Sequence, residues 1–126
     1  MNEKLNLKSV NKNKTYNLDA KNKILGRLAS EVVMYLRGKN LTSFRPYKYI
    51  NNKVIISNIS GLKFSGKKMK QKKYHRFTGY PGGIRTQSLG DLWLKNPGIL
   101  FKNVVYNMLP ENKLRKKMIK NLIIKK

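Results

Sequence analysis

The sequence predicts an α/β fold, because a short strand, an amphipathic helix and a buried strand follow one another early in the chain. Residues 16–20 can form the first strand, and Val54, Ile55 and Ile56, with Ile59 close behind, make a continuous apolar run. Such a run is typical of a strand covered on both faces, as in a parallel sheet. A strand, a helix and a buried strand in this order form the βαβ unit of α/β folds.

The helix between the two strands has the clearest pattern in the chain. Its apolar residues recur every three or four positions, which places them on one face of an α-helix. These residues are Leu25, Leu28, Ala29, Val32, Val33 and Leu36. Arg27, Glu31 and Arg37 lie off that face. Gly38 is placed to end the helix in a left-handed conformation.

Two further helices are predicted in the second half of the chain. Ser88 and Asp91 have the spacing of a capping pair for a short helix. Asn96 and Pro97 resemble an N-cap followed by proline at the first position of the next helix, which Pro110 ends. The apolar residues of these helices are Leu89, Leu92 and Trp93, then Leu100, Phe101, Val104, Val105 and Met108.

Both ends of the chain are basic. Residues 1–14 are polar and lack periodicity, so we expect an extended N-terminal extension that becomes ordered only on its partner. They also lack the apolar core of a secretory signal. Residues 15–126 are long enough for one domain, and its basic C-terminal tail contains an apolar patch at residues 122–124.

The charge of the chain indicates a polyanionic partner. Lys and Arg total 29 against 5 Asp and Glu, which gives a formal net charge of +24. A domain with that charge repels itself unless a polyanion neutralises it. No apolar run approaches the roughly 20 residues that span a bilayer, and the basic residues are not gathered on one amphipathic helix. Nucleic acid is therefore favoured over a membrane.

A stretch without any carboxylate lies between Glu31 and Asp91. Its cations have no nearby acidic partner in sequence, so they must face water or phosphate. These cations are Arg37, Lys39, Arg45, Lys48, Lys53, Lys63, Lys67, Lys68, Lys70, Lys72, Lys73, Arg76 and Arg85. Aromatic residues are interleaved with them, namely Phe44, Tyr47, Tyr49, Tyr74, Phe77 and Tyr80. An aromatic ring can stack on an unpaired base at about 1–3 kcal/mol per base, although each ring alone fits a core position as well.

Residues 78–85 (TGYPGGIR) form a glycine-rich turn between basic segments. Glycine lets the backbone approach a phosphate closely. An ordinary tight loop explains the same glycines equally well.

The sequence offers little for catalysis or metal binding. It has no Cys and one His, so disulfides and Cys/His zinc sites are excluded. Residues 61–68 fit the pattern G-x-x-x-x-G-K, but Lys68 stands where a phosphate-binding loop needs Ser or Thr for magnesium. His75 has no acidic residue nearer in sequence than Asp91, and acid–base work usually needs such a partner. We therefore expect no enzyme activity, no cofactor and no small-molecule substrate.

Several motifs together resemble the bacterial-type large-subunit ribosomal protein L-thirteen family. They occur in the family's order and spacing over residues 16–124. The motifs are LDA at 18–20, LGRLAS at 25–30, LRGK at 36–39, Pro46, VII at 54–56, Asn58, SGKK at 65–68, TGYPGGI at 78–84 and MLP at 108–110. The sequence departs from the family at Thr15, at Asn51 and Asn52 and at Phe77, and a family C-terminal segment with paired His residues is missing.

The resemblance implies a single three-layer α/β/α domain with a small, mostly parallel sheet. It also implies binding to large-subunit ribosomal RNA, support of early subunit assembly, and neighbouring large-subunit ribosomal proteins as partners. With the charge pattern, it gives a set of expected RNA-binding residues. These are Arg27, Arg37, Lys39, Arg45, Lys67, Lys68, Lys70, Lys72, Lys73, Tyr74, His75, Arg76, Gly79, Tyr80, Gly82, Gly83, Arg85, Lys113, Arg115 and Lys116.

Two other functions remain open at this point. A small RNA-modifying or RNA-cleaving enzyme would need a catalytic group around His75. A non-ribosomal RNA chaperone or nucleoid-type protein would bind DNA and RNA of any sequence. The excess of Lys over Arg and the frequent Asn and Ile indicate A/T-rich codons. We therefore expect a ribosome in the cytoplasm of an A/T-rich bacterium or in the interior of an organelle.

Overall fold

Five strands and five α-helices lie along residues 13–125, the part of the chain that the computed structural model describes. A short 3-10 turn, Ile59–Gly61, lies among them. In chain order the other elements are β1 (Thr15–Asp19), α1 (Leu25–Arg37), β2 (Lys53–Ser57), α2 (Lys68–Gln71), β3 (Lys73–Phe77), β4 (Ile84–Ser88), α3 (Leu89–Lys95), α4 (Pro97–Met108), α5 (Arg115–Lys120) and β5 (Leu122–Ile124). The expected N-terminal extension falls mostly on residues 1–12, which lie outside the described residues.

β1, β2 and β5 form a parallel sheet with β2 in the centre. Val54 and Ile56 of β2 are fully buried, whereas Ile55 between them is partly exposed. The central position explains most of the apolar run, because β1 and β5 pair with both edges of β2, one face buries Val54 and Ile56, and the other face is partly covered at Ile55. The predicted α/β class with a small parallel sheet is confirmed. Ile59 lies in the 3-10 turn rather than in the strand.

α1 forms where its periodicity predicts it. Leu28, Ala29, Val32 and Leu36 are buried on the face that meets the core. Gly38 ends the helix with a φ of 70°, and its N–H donates to the carbonyls of Met34 and Tyr35. A Cβ at Gly38 would lie 2.6 Å from Cδ1 of Ile50, so the close approach also favours glycine.

The predicted caps of α3 and α4 are confirmed. The Ser88 hydroxyl accepts a hydrogen bond from the Asp91 N–H at 3.1 Å. The Asn96 side chain accepts one from the Ile99 N–H at 3.2 Å, and Pro97 is the first residue of α4. These bonds satisfy N–H groups that the first turn of a helix leaves without partners.

The core lies between the sheet and the helices α1 and α4. Phe101 of α4 is its largest fully buried side chain. It belongs to one apolar cluster with residues of α1 and β2, and Met118 and Leu122 extend that cluster toward the C-terminal end. Within the described residues, no helix is long and apolar enough to cross a membrane.

The elements that were not predicted from the sequence include β3, β4, α5 and β5. β3 and β4 pair with each other, but neither buries a full face, so the alternation that marks a half-buried strand is absent. α5 is a single basic helix of 6 residues with one buried side chain, Met118. Residues 122–124, predicted only as an apolar patch, form β5.

Candidate nucleic-acid interface

The segment that extends most clearly from the core is an antiparallel hairpin of β3, β4 and their turn, residues 73–88, which we call the ribbon. Lys73 pairs with Ser88 at its base and Phe77 with Ile84 near its tip. Residues 75–82 and 84–87 are all exposed. A two-stranded hairpin alone is at best marginally stable in water, and three or more strands or packing on a helix normally support it. Both faces of the ribbon are therefore open to a partner.

The register of the ribbon sorts its side chains onto two faces. His75 and Thr86 pair on one face, where the His75 Nδ1 lies 2.9 Å from the Thr86 Oγ1. Arg76 and Arg85 pair on the other face, and both are exposed. Like charges directly opposite in a sheet destabilise it. This face therefore holds two cations that repel each other and that an anion would neutralise.

The turn of the ribbon explains its glycines. The Thr78 N–H donates to the Gly83 carbonyl at 3.0 Å, and the Gly83 N–H donates to the Tyr80 carbonyl at 2.9 Å. Gly79 and Gly82 have positive φ angles of 90° and 71°. A Cβ at Gly83 would collide with the Thr78 Oγ1. The tight turn thus requires glycine for its own geometry, and it holds the Tyr80 ring 76% exposed at the tip.

The five lysines Lys67, Lys68, Lys70, Lys72 and Lys73, which we call the lysine cluster, lie on and around α2 at the base of the ribbon. All five are exposed. The Leu89 N–H donates to the Lys72 carbonyl at 2.8 Å and ties α2 to the start of α3. The Lys72 Nζ lies 5.7 Å from the centre of the Tyr74 ring. Among residues 13–125, no lysine of the cluster makes a salt bridge.

Arg37, Lys39 and Arg45 form a second basic group. The Arg37 guanidinium lies 5.6 Å from the centre of the Phe44 ring, and Arg45 donates to the Phe44 carbonyl at 3.1 Å. This group is at the C-terminal end of α1, whereas Lys68 of the lysine cluster borders a cavity at the N-terminal end. A helix of 13 residues separates its ends by about 20 Å. The predicted residues therefore form separate groups rather than one patch.

The third predicted group, Lys113, Arg115 and Lys116, lies at the start of α5. The Arg115 Nε donates to the Tyr106 carbonyl at 2.6 Å, and its guanidinium lies 3.9 Å above the Tyr106 ring. Its Nη1 is also 3.8 Å from Glu111, and the side chain is only 13% exposed. These contacts favour a structural role in joining α5 to α4, and the RNA contact of Arg115 stays a prediction. Lys113 and Lys116 are exposed, as is Arg27 on the first turn of α1.

A cavity of about 370 Å³ lies where the first turn of α1, the loop before α2, the base of the ribbon and the last turn of α4 meet. Its lining combines apolar side chains with Lys63, Lys68 and Lys72. Burial raises the pKa of the Tyr74 phenol, which also lines it. Tyr74, Lys68 and Lys72 were predicted as site residues from the sequence, whereas Lys63 was not.

The ribbon also presents apolar side chains that the sequence did not assign to the site. Phe77 and Ile84 pair near the tip, and each is 64% exposed. No periodic signal identified them, because charged and apolar residues do not alternate with period two in residues 73–77 or 84–88.

The G-x-x-x-x-G-K pattern at residues 61–68 and His75 are the two features that could indicate an enzyme, and the described residues do not bring either of them into a catalytic site. In the pattern at residues 61–68, Gly61 ends the 3-10 turn and Lys68 begins a helix of only 4 residues. A phosphate-binding loop instead joins a strand to a full helix whose first turn holds the phosphates. His75 contacts Thr86 and, within the described part of the chain, no carboxylate. The described residues contain no group of three or more His, Asp or Glu that could hold a metal ion.

Comparison with known proteins gives a consistent result. Residues 13–124 match the family described as "Ribosomal protein L13". The chain is 42% identical over 109 residues to "Large ribosomal subunit protein uL13" of Syntrophobacter fumaroxidans, a match that covers 86% of this chain and 77% of the relative. The protein of the same name from Mesomycoplasma hyopneumoniae is 40% identical over 113 residues, which cover 90% of this chain and 78% of that protein.

Proposed function

Because the chain belongs to the ribosomal protein L13 family and is a non-enzymatic structural constituent of the large ribosomal subunit, we propose that it contacts ribosomal RNA through the ribbon and the lysine cluster. The observation that carries this proposal is the ribbon itself. Its strands are exposed on both faces, and Arg76 and Arg85 lie side by side with no acidic partner among residues 13–125. An RNA backbone supplies the negative charge and the contact surface that such a ribbon lacks within its own chain.

The proposed contacts differ in kind along the ribbon. The lysine cluster at the base, with Arg76 and Arg85 above it, binds phosphates. At the tip, the backbone of Gly79, Gly82 and Gly83 approaches the RNA closely while the exposed Tyr80 ring stacks on an unpaired base. His75 and Tyr74 add contacts between tip and base. RNA is thus recognised through its backbone and unpaired bases rather than through a deep groove.

The remaining predicted residues belong to separate contacts in this proposal. Arg37, Lys39 and Arg45 reach a second stretch of RNA, because they lie about one helix length from the lysine cluster. Arg27, Lys113 and Lys116 lie on exposed surface and bind further phosphates. A protein with contacts at both ends of α1 is suited to hold two RNA segments together, which is how it would support early assembly beside its neighbouring ribosomal proteins.

We also propose a finer location for the ribosome. The preference for Lys, Asn and Ile over residues with G/C-rich codons fits the cytoplasm of an A/T-rich bacterium or the interior of an organelle. Base composition of the ribosomal RNA that copurifies with the protein tests this point directly.

Sedimentation tests the proposed interface. A variant with all five lysines of the lysine cluster changed to Gln should leave large subunits during a high-salt wash that the wild type survives. A matched control changes five exposed lysines outside the predicted set, namely Lys21, Lys48, Lys53, Lys95 and Lys102. If both variants leave the subunits equally, charge alone matters and the proposed site is wrong. Wild-type protein found only in the free pool would contradict the ribosomal role, and equal competition by DNA would favour a non-specific chaperone.

A further inference from the structure

We propose that the cavity beside the first turn of α1 takes one unpaired nucleotide of the bound RNA, with the base inside and the phosphate on the lysine rim. We call it the α1 cavity. The inference rests on the proposed RNA contact but assigns a new site, because most of its lining lies outside the predicted RNA-binding residues. Its volume of about 370 Å³ exceeds the lower limit of about 300 Å³ for pockets that hold small organic ligands.

The wall of the α1 cavity suits a flat apolar ring. Phe64 and Tyr74 both line it, together with the aliphatic Leu25, Leu89 and Val104. Phe64 is held in place because its ring meets that of Trp93 edge to face, with centres 4.9 Å apart and planes at 84°. Rigid aromatic rings lose little conformational freedom when a base stacks on them, and such stacking tolerates any base.

The rim of the α1 cavity selects an anion. Lys63, Lys68 and Lys72 border it, and within the described residues no carboxylate contributes to the lining. An apolar segment of a protein partner would leave these three ammonium groups without neutralisation. A nucleotide suits both the apolar wall and the lysine rim, since its base packs against the wall and its phosphate meets the lysines.

One polar side chain on the lining can read the edge of a base. Asn107, in the last turn of α4, borders the cavity. Its amide group offers both a donor and an acceptor, which matches the mixed edge of a nucleobase. None of the side-chain hydrogen bonds within residues 13–125 engages it, so the amide remains available.

Gly26 allows the cavity to be filled without disturbing its walls. It lines the cavity, and a Cβ built on it meets no atom within 4 Å. Gly26→Leu therefore puts an aliphatic side chain where the base would lie and leaves the charge unchanged. Ser30→Leu is the matched control, because Ser30 is exposed one turn later on α1 and does not line the cavity. Its hydroxyl donates to the Gly26 carbonyl at 2.9 Å, so this control also shows whether loss of that bond disturbs the site.

The experiment compares two probes of equal charge, a short unstructured RNA and the same ribose-phosphate chain without bases. Wild-type protein should bind the RNA about tenfold more tightly than the base-free chain, a ratio within the range that one stacked base provides. Gly26→Leu should lose most of that preference, the remainder being the part that stacking on Tyr80 contributes, and Ser30→Leu should keep it. Asn107→Leu, with Asn103→Leu on the exposed part of α4 as its control, repeats the test if Gly26→Leu fails to fold.

The outcomes separate this inference from the proposed function. Equal binding of the two probes by wild type, or an unchanged preference in Gly26→Leu, overturns the nucleotide site while the electrostatic RNA contact stands. No binding of either probe at low salt overturns both. Loss of the preference in Gly26→Leu alone supports the site, provided that the circular dichroism spectrum of the variant equals that of wild type.

Discussion

Removing the two opposed arginines of the ribbon should have opposite effects on stability and on RNA binding. Arg76 and Arg85 face each other across β3 and β4. Like charges in that position destabilise a strand pair, and relief of the repulsion contributes about 0.2–1 kcal/mol. Both side chains are exposed, so water and salt screen the repulsion and the lower end of that range applies. The double variant Arg76→Gln/Arg85→Gln should therefore unfold at a slightly higher temperature than wild type.

RNA binding by the same variant should weaken and lose part of its salt dependence. Each lost phosphate contact lowers the slope of log affinity against log salt by about 0.9 on a duplex and about 0.7 on a single strand. Two lost contacts lower it by about 1.4–1.8. Between about 50 mM and about 200 mM salt, wild-type affinity should therefore fall roughly tenfold more than that of the variant.

Fluorescence anisotropy with large-subunit RNA over a salt series measures the slope, and thermal unfolding of the free protein measures the stability. The control variant Lys53→Gln/Lys102→Gln removes the same charge from exposed positions outside the ribbon. It should leave the slope nearly unchanged. A double arginine variant that is less stable than wild type, or one with an unchanged slope, would refute the reasoning.

Three further predictions concern the turn, the core and a carboxylate. Gly83→Ala should destabilise the ribbon by more than about 1 kcal/mol, weaken RNA binding and lower the midpoint of thermal unfolding followed by circular dichroism. Phe101→Ala should lower the free energy of unfolding in urea by about 3–5 kcal/mol, since Phe101 is fully buried. The Lys21 N–H and, with a smaller effect, the Asn58 side chain donate hydrogen bonds to the Asp19 carboxylate. These bonds hold the pKa of Asp19 below its ordinary value of 3.8. Asp19→Asn should therefore be less stable than wild type at neutral pH, and the difference should vanish as acid protonates Asp19, below pH 3.8.

The elements that could be predicted from the sequence are those whose burial leaves a periodic pattern. α1 buries one face over 13 residues, so its apolar spacing repeats often enough to be unmistakable. β2 is recognisable for a related reason, because its place at the centre of the sheet requires an apolar run. The ribbon has no buried face and hence no such pattern. β5 has only 3 residues, too few to show any period.

The composition of the candidate site was predictable, but its arrangement was not. The carboxylate-free stretch identified the cations without indicating that α1 separates Arg37 from the lysine cluster. Arg115 had the same sequence signature as its exposed neighbours, yet the Tyr106 carbonyl and ring hold it at the surface of α4. The α1 cavity was equally invisible, because Leu25, Phe64 and Val104 come from distant parts of the chain and meet only in the fold.

The ribbon shows why the features proposed to bind RNA are the ones that stabilise the free protein least. A hairpin that packed its apolar residues on the core would hide Phe77 and Ile84, which are exposed. A hairpin with an acidic residue opposite Arg76 would neutralise the charge that phosphate is proposed to meet. The ribbon instead depends for its stability on the end of the hairpin nearest the core. There the Leu89 N–H donates to the Lys72 carbonyl, and the Leu89 side chain is buried. Since α1, β2 and α4 supply the core without it, the ribbon can remain weak in the free protein and become rigid at the proposed RNA contact.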